Sequence, residues 1–212
     1  MWELVKAGGW LMLPLVLCSI FTVAITIERF IRLKKTTILP KALLLNATQN
    51  TDMVMQQLQQ DQALQVTTLG RIFMAGYQSK NQNEQFARAQ MESTASQEIG
   101  YLEKNINFLG TLSAVAPLLG LLGTVLGIIE SFLVIDLGTN SNPTLMIPGI
   151  SKALITTAAG MFIAIPALFA YRYFQRLVQE YVAELEQQST LFHAALFYQN
   201  SNNEEQDIRK AG

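Results

Sequence analysis

INFLGTLSAVAPLLGLLGTVLGII, residues Ile106–Ile129, and ALITTAAGMFIAIPALFAY, residues Ala153–Tyr171, are the two stretches that decide how this chain folds. Both are free of charge, and each has the length of about 20 apolar residues that a helix needs to cross a bilayer. Each also draws one line in small or weakly polar residues. In the first, Ser113, Pro117, Gly120, Thr124, Gly127 and Ser131 follow at alternating spacings of four and three. In the second, Ala153, Thr157, Gly160, Ala164 and Ala167 do the same. That spacing places each set on one helix face. Such a face suits either a narrow polar conduit or close packing on another helix.

The rest of the chain extends this reading. Half of the 212 residues are hydrophobic and 15% are charged, well below the roughly 25% of an ordinary soluble protein. No basic stripe exists to neutralise phosphates, so nucleic acid is not an expected partner. Cys18 stands alone in an apolar run, which leaves no disulfide framework or thiolate metal site within one chain. His193 is equally isolated and reads as a packing or surface residue. No nucleophile–base pair, metal cluster or phosphate loop is present, so an enzyme is the least expected class and no cofactor is implied.

A third uncharged run, Ala7 to Ile27, reads as the first of three transmembrane helices, with Pro14 a candidate kink. It lacks a small-x-small cleavage site ahead of Glu28 and Arg29, against a signal peptide. The expected fold is an all-α integral membrane protein in a ring of copies. Its segments are an N-terminus at 1–6, spans at 7–31, 106–135 and 147–173, a helical segment at 32–105, a loop at 136–146 and a helical tail at 174–212. Arg29, Arg32, Lys34, Lys35 and Lys41 follow the first span, Lys104 leads into the second, and Arg172 and Arg176 follow the third. The loop from Asp136 to Met146 has neither Lys nor Arg. The positive-inside rule therefore predicts a periplasmic N-terminus and a cytoplasmic C-terminus.

The loop DLGTNSNP is a cluster of turn residues that makes spans two and three an antiparallel hairpin, and Pro148 falls in the first turn of span three. Residues Asn46 to Gln65 are expected to be helical, with Met53, Val54 and Leu58 on the apolar side. After a turn at Lys80 to Asn83, a pattern from about Phe86 carries the seam Ala95, Ile99, Leu102, Ile106 and Leu109 into Ser113 without a breaker. Tyr171, Phe174, Val178, Tyr181, Leu185 and Phe192 prolong span three in the same way. Spans two and three are thus expected to extend as long helices beyond the membrane.

Two polar levels follow from the antiparallel arrangement. Glu130 and Lys152 fall at similar depth near the outer ends of their spans and are expected to face each other, within or between subunits. Ionisable residues at such depth usually mark function, although both can remain hydrated near an interface. Thr124 and Thr157 lie deeper, near the bilayer middle. A threonine hydroxyl donates and accepts without ionising, and in membrane helices it often bonds back to its own helix carbonyls.

The runs FLGTLSAVAPLLGLLGTVLGIIESF (108–132) and PGISKALITTAAGMFIAIPALFAYRYF (148–174) closely resemble the MotA/TolQ/ExbB proton channel family. The length, three spans and opening MWELVKAGGWLMLPL are more similar to its ExbB and TolQ branches than to MotA. The resemblance implies an inner-membrane energy transducer: a homo-oligomeric ring, typically of five subunits, around single-span partners of the ExbD or TolR type. Proton flow would pass an acid on the partner helix, with Thr124 and Thr157 as the ring's polar contribution. The wider pore-lining set comprises Ser113, Gly120, Gly127, Ser131 and Gly160. The work would be delivered to a TonB-type protein for outer-membrane uptake. The alternatives are a TolQ-like role in envelope maintenance through a TolA-type protein, or a non-conducting scaffold. One departure stands out. Where ExbB and TolQ sequences usually read G-I-x-E-A-L, this chain has Gly149-Ile150-Ser151-Lys152-Ala153-Leu154, with a carboxylate, Glu130, on the neighbouring span.

Overall fold

The computed structural model describes residues 8–44, 51–136 and 143–211. The described residues are helical, with no strand among them. In chain order the helices are α1 (Met12–Arg32), α2 (Lys35–Ile38), α3 (Thr51–Gln60), α4 (Gln62–Gln65), α5 (Thr68–Gln78), α6 (Glu84–Glu103), α7 (Ile106–Asp136) and α8 (Ile147–Ala211), with 3-10 turns at Lys41–Leu43 and Pro143–Met146. Three helical stretches are long and apolar enough to span a membrane: Met12–Arg32, one within Glu84–Leu133 and one within Thr144–Phe197. Most of the loop between spans two and three lies outside the described residues, as do residues 45–50.

The chain divides into two compact units. The first comprises Met1–Phe30 and Asn105–Gln175. Its centre is the antiparallel pair α7 and α8, joined by Met12 and Leu15 of α1, which pack with Ala116 and Ala164. Large apolar side chains such as Ile20, Leu118, Phe162 and Phe169 are exposed, as lipid-facing residues are. The helix α1 begins at Met12, so Pro14 falls in its first turn, where the missing N–H has no intrahelical partner to lose. The proline starts the span and is not a mid-span kink. Ahead of it, Gly8–Leu11 forms a non-helical turn in which Gly9 has φ +72°, a conformation that favours glycine.

The second unit comprises Ile31–Lys104 and Arg176–Gly212. Its core is built from large side chains: Leu58, Leu69, Ile72, Phe73 and Phe192 are fully buried, and Phe73 stacks on Phe192 at 4.1 Å between ring centroids. Phe174 in the first unit, with Val178, Tyr181, Leu185 and Phe192 in the second, are buried along α8 at the spacing expected from the sequence, while Tyr171 of the same seam is half-buried. Helix starts follow local chemistry. Thr67 caps α5 by accepting from Gly70 N–H, and Asn83 caps α6 by accepting from Gln85 N–H.

Two further expectations need correction. The seam that was to run unbroken into span two is interrupted: α6 stops at Glu103, and Asn105 adopts φ 65° before α7 begins. Asn tolerates this left-handed conformation better than most residues. Here its Nδ2 also donates to Glu28 Oε2 at 2.9 Å, while Arg29 donates to Glu28 Oε1 at 3.1 Å. In α3, Met53 is exposed, and Met55 is buried beside Val54 and Leu58. The burial of Met55 rotates the apolar face away from the residue that the sequence pattern chose.

Candidate functional site in the membrane hairpin

The α7–α8 contact is made where neither helix has bulk. A Cβ built on Gly160 would lie 2.6 Å from the Ala116 carbonyl oxygen and 3.1 Å from Gly120 Cα. One built on Gly127 would meet Ala153 Cβ at 2.7 Å and the Gly149 carbonyl at 2.8 Å. The two backbones therefore approach closely, as in membrane helix pairs built on small residues. Gly120, Gly127, Gly160 and Ser131 are all buried in this seam, facing the partner helix of the same chain. Ser131 Oγ donates to the Gly127 carbonyl at 2.8 Å and reaches the Met146 carbonyl at 3.3 Å, fastening the 3-10 turn to α7.

The threonine level lies within the seam. Thr157 donates its hydroxyl across the helix boundary to the Gly120 carbonyl at 2.9 Å, and Thr124 donates to the Leu121 carbonyl of its own helix at 2.6 Å. Both side chains are half-buried. Ser113, also half-buried, donates to the Gly110 carbonyl at 2.7 Å. Each hydroxyl thus uses its proton on a backbone carbonyl and keeps oxygen lone pairs that can accept.

Nearer the loop that joins the two helices, Lys152 Nζ lies 2.8 Å from Glu130 Oε2 and 3.1 Å from Oε1, within one chain. One ammonium holding both carboxylate oxygens is a charge-assisted pair. The Lys152 side chain is 30% exposed and the Glu130 side chain 50%, so the pair stands at a partly open edge of the hairpin.

One residue escapes the sequence reading. Thr156, beside Thr157, is 1% exposed. Its hydroxyl donates to the Lys152 carbonyl at 2.7 Å and lies 3.3 Å from the Gly8 carbonyl oxygen, and its methyl would meet a Cβ on Gly123 at 2.5 Å. Two signals pointed to it: the Thr156-Thr157 doublet, and Gly123 one position off the four-and-three stripe. His193 lines a groove of about 540 Å³ in the second unit together with Arg88, Met91 and Glu92. Its Nε2 is buried with no hydrogen-bond partner among the described residues.

Three helices of membrane length, two of them paired as a hairpin closed through glycine, define a polytopic helical membrane protein. The sequence comparisons are more specific. The MotA/TolQ/ExbB proton channel family matches residues 49–187, and the chain belongs to this family. It is 31% identical to the putative biopolymer transport protein ExbB-like 3 of Synechocystis sp., over 86% of this chain and 89% of that protein. It is 35% identical to ExbB-like 1 of the same organism, over 62% of this chain and 54% of the relative. It is 36% identical to the Tol-Pal system protein TolQ of Haemophilus influenzae, over 50% of this chain and 49% of the relative. In the last two comparisons the chain spans about half the length of the relative. Family and apolar helices together make it a multi-pass inner-membrane protein.

Proposed function

We propose that this chain is a proton-conducting stator subunit, and that Thr124 and Thr157 supply half of the proton path. The observation that carries the reading is the threonine level itself. Two hydroxyls sit at matching depth in the uncharged stretches 106–129 and 153–171, with no carboxylate of those stretches beside them. A titrating acid must then come from another helix, which suits a single-span partner of the ExbD or TolR type inside a ring of copies, a pentamer by family analogy. Gly120, Gly127, Gly160, Ser131 and Ser113 would serve the path indirectly, by holding the two helices close enough to present both threonines. The N-terminus would be periplasmic and the C-terminus cytoplasmic. One charge crossing the membrane potential yields roughly 2.3 kcal/mol per 100 mV, enough to bias a mechanical step in a TonB-type protein.

Relatives named for both ExbB and TolQ keep a Tol-Pal role as the alternative within the class. The second class, a non-conducting scaffold, draws support from the glycine seam and from hydroxyls already bonded to carbonyls. Isolating the complex from membranes and identifying what travels with it separates the three readings. An ExbD-like companion supports uptake, a TolR-like companion supports envelope maintenance, and a complex that passes no protons under an imposed voltage supports the scaffold. The outer pair has its own test. Exchanging the charges, Glu130→Lys with Lys152→Glu, is expected to retain more proton flux than either single reversal. Equal loss in all three variants would remove the pair from the account.

A further inference from the structure

Beneath the Gly8–Leu11 turn lies a small cavity of about 10 Å³, lined among others by Gly8, Leu11, Leu126, Glu130, Lys152 and Thr156. That is the room one water centre needs. Its polar lining is also what a water needs, namely two to four hydrogen-bonding groups. Lys152 Nζ has three protons and uses two on Glu130, so one donor remains. The Thr156 hydroxyl gives its proton to the Lys152 carbonyl and keeps a lone pair, and the Gly8 carbonyl beside it can accept. The turn is shaped to lie over this spot. At Gly9, φ +72° favours glycine, and the flexible end of Lys152 lies against the position a Cβ would take, with Nζ 2.9 Å from it.

We propose that this cavity is a single-water site roofed by the Gly8–Leu11 turn, and that Thr156 is a positioning residue of the proton path. The water joins the Glu130–Lys152 pair to the buried hydroxyl one residue before Thr157. It accepts from Lys152 and donates to the Gly8 carbonyl and to Thr156, so that a chain of hydrogen bonds leads from the ion pair into the seam. The proposal rests on the proton-conducting reading for its function, though not for the existence of the water.

The complete complex in proteoliposomes tests both, through voltage-driven proton flux and radiolytic labelling after rapid mixing with oxygen-18 water, which marks side chains beside slowly exchanging water. Thr156→Val keeps the shape and removes the hydroxyl; it is expected to cut flux about tenfold, the cost of one buried hydrogen-bonding group. It should also abolish slow-water labelling at Leu11 and Leu126, whereas Thr156→Ser should restore both. If Thr156→Val fails to assemble, Leu126→Phe, which fills the cavity and spares its polar groups, is expected to remove the label and lower flux. Normal flux in Thr156→Val beside a loss in Thr157→Val overturns the role of Thr156 and leaves the proton path standing. Normal flux in both variants removes the proton path, while a label that Thr156→Val erases still supports the water site. Wild-type protein with no slow-water label at Leu11 and Leu126 overturns the site.

Discussion

The two units of this protein are held together by opposite kinds of residue. In the first, Gly120, Gly123, Gly127 and Gly160 bring α7 against α8, and many large side chains of the spans, Leu118, Phe132, Phe162 and Phe169 among them, are exposed. In the second, Phe73, Phe192, Leu58, Leu69 and Ile72 are buried and the surface is charged. Solvent explains the contrast. In water, burying large apolar side chains is the main driving force. Among lipid tails that force is absent between helices, and close packing of backbones with a few hydrogen bonds takes its place. The second solution leaves carbonyls and hydroxyls next to one another in the seam, where the proposed proton path would run.

The comparison predicts how each unit breaks. Phe192→Ala empties the stacked centre of the second unit and is expected to destabilise it by about 3–5 kcal/mol. Thermal unfolding followed by limited proteolysis in residues 51–104 reads this. Little loss would mean that the stacked rings are not the core. In the first unit the damaging direction is reversed, from small to large. Gly160→Val pushes atoms onto the Ala116 carbonyl and is expected to cost about 1–3 kcal/mol by overpacking. Its readout is the fraction of complex surviving detergent extraction, and an unchanged fraction would show that the seam is loose. A smaller effect is expected at the start of α7. Asn105→Ala places a Cβ-bearing residue without a polar side chain at φ 65° and removes the bond to Glu28, for roughly 1–2 kcal/mol. Asn105→Gly should recover the backbone part, and equal melting of Ala and Gly variants would assign the whole effect to Glu28. On the exposed side of α8, Arg176→Ala removes an i,i+4 partner of Glu180 and should shift stability by no more than about 0.5 kcal/mol.

How much of this was legible in the sequence follows the same division. The spans were legible because uncharged runs of membrane length have few other meanings, and the buried residues Phe174, Val178, Tyr181, Leu185 and Phe192 were legible from their helical period. The break at Asn105 was not, because much of its cause, Glu28, is distant in sequence. Met55 was missed because α3 is short and its apolar residues fit two neighbouring faces. In the site, the stripe led to Thr157 and passed over Thr156, since a seam between closely packed helices is broader than one line of residues. Thr156 meets Gly123 while Thr157 meets Gly120, and only the packed pair of helices displays both contacts. The turn over Lys152 was invisible for the same reason, as it joins residues 8 and 9 to residue 152.

The central claim is that the small-residue seam presents a conducting threonine level and is more than a packing device. Proton flux through the purified complex, reconstituted with its companion protein and driven by an imposed voltage, tests it most directly when Thr124→Val and Thr157→Val are compared with wild type. Valine matches threonine in shape and lacks only the hydroxyl. The account predicts that both variants assemble with their companion in normal amount and lose about tenfold or more of the flux, the scale of a lost buried hydrogen-bonding group. Normal assembly with undiminished flux in both would contradict it and leave the seam as packing alone.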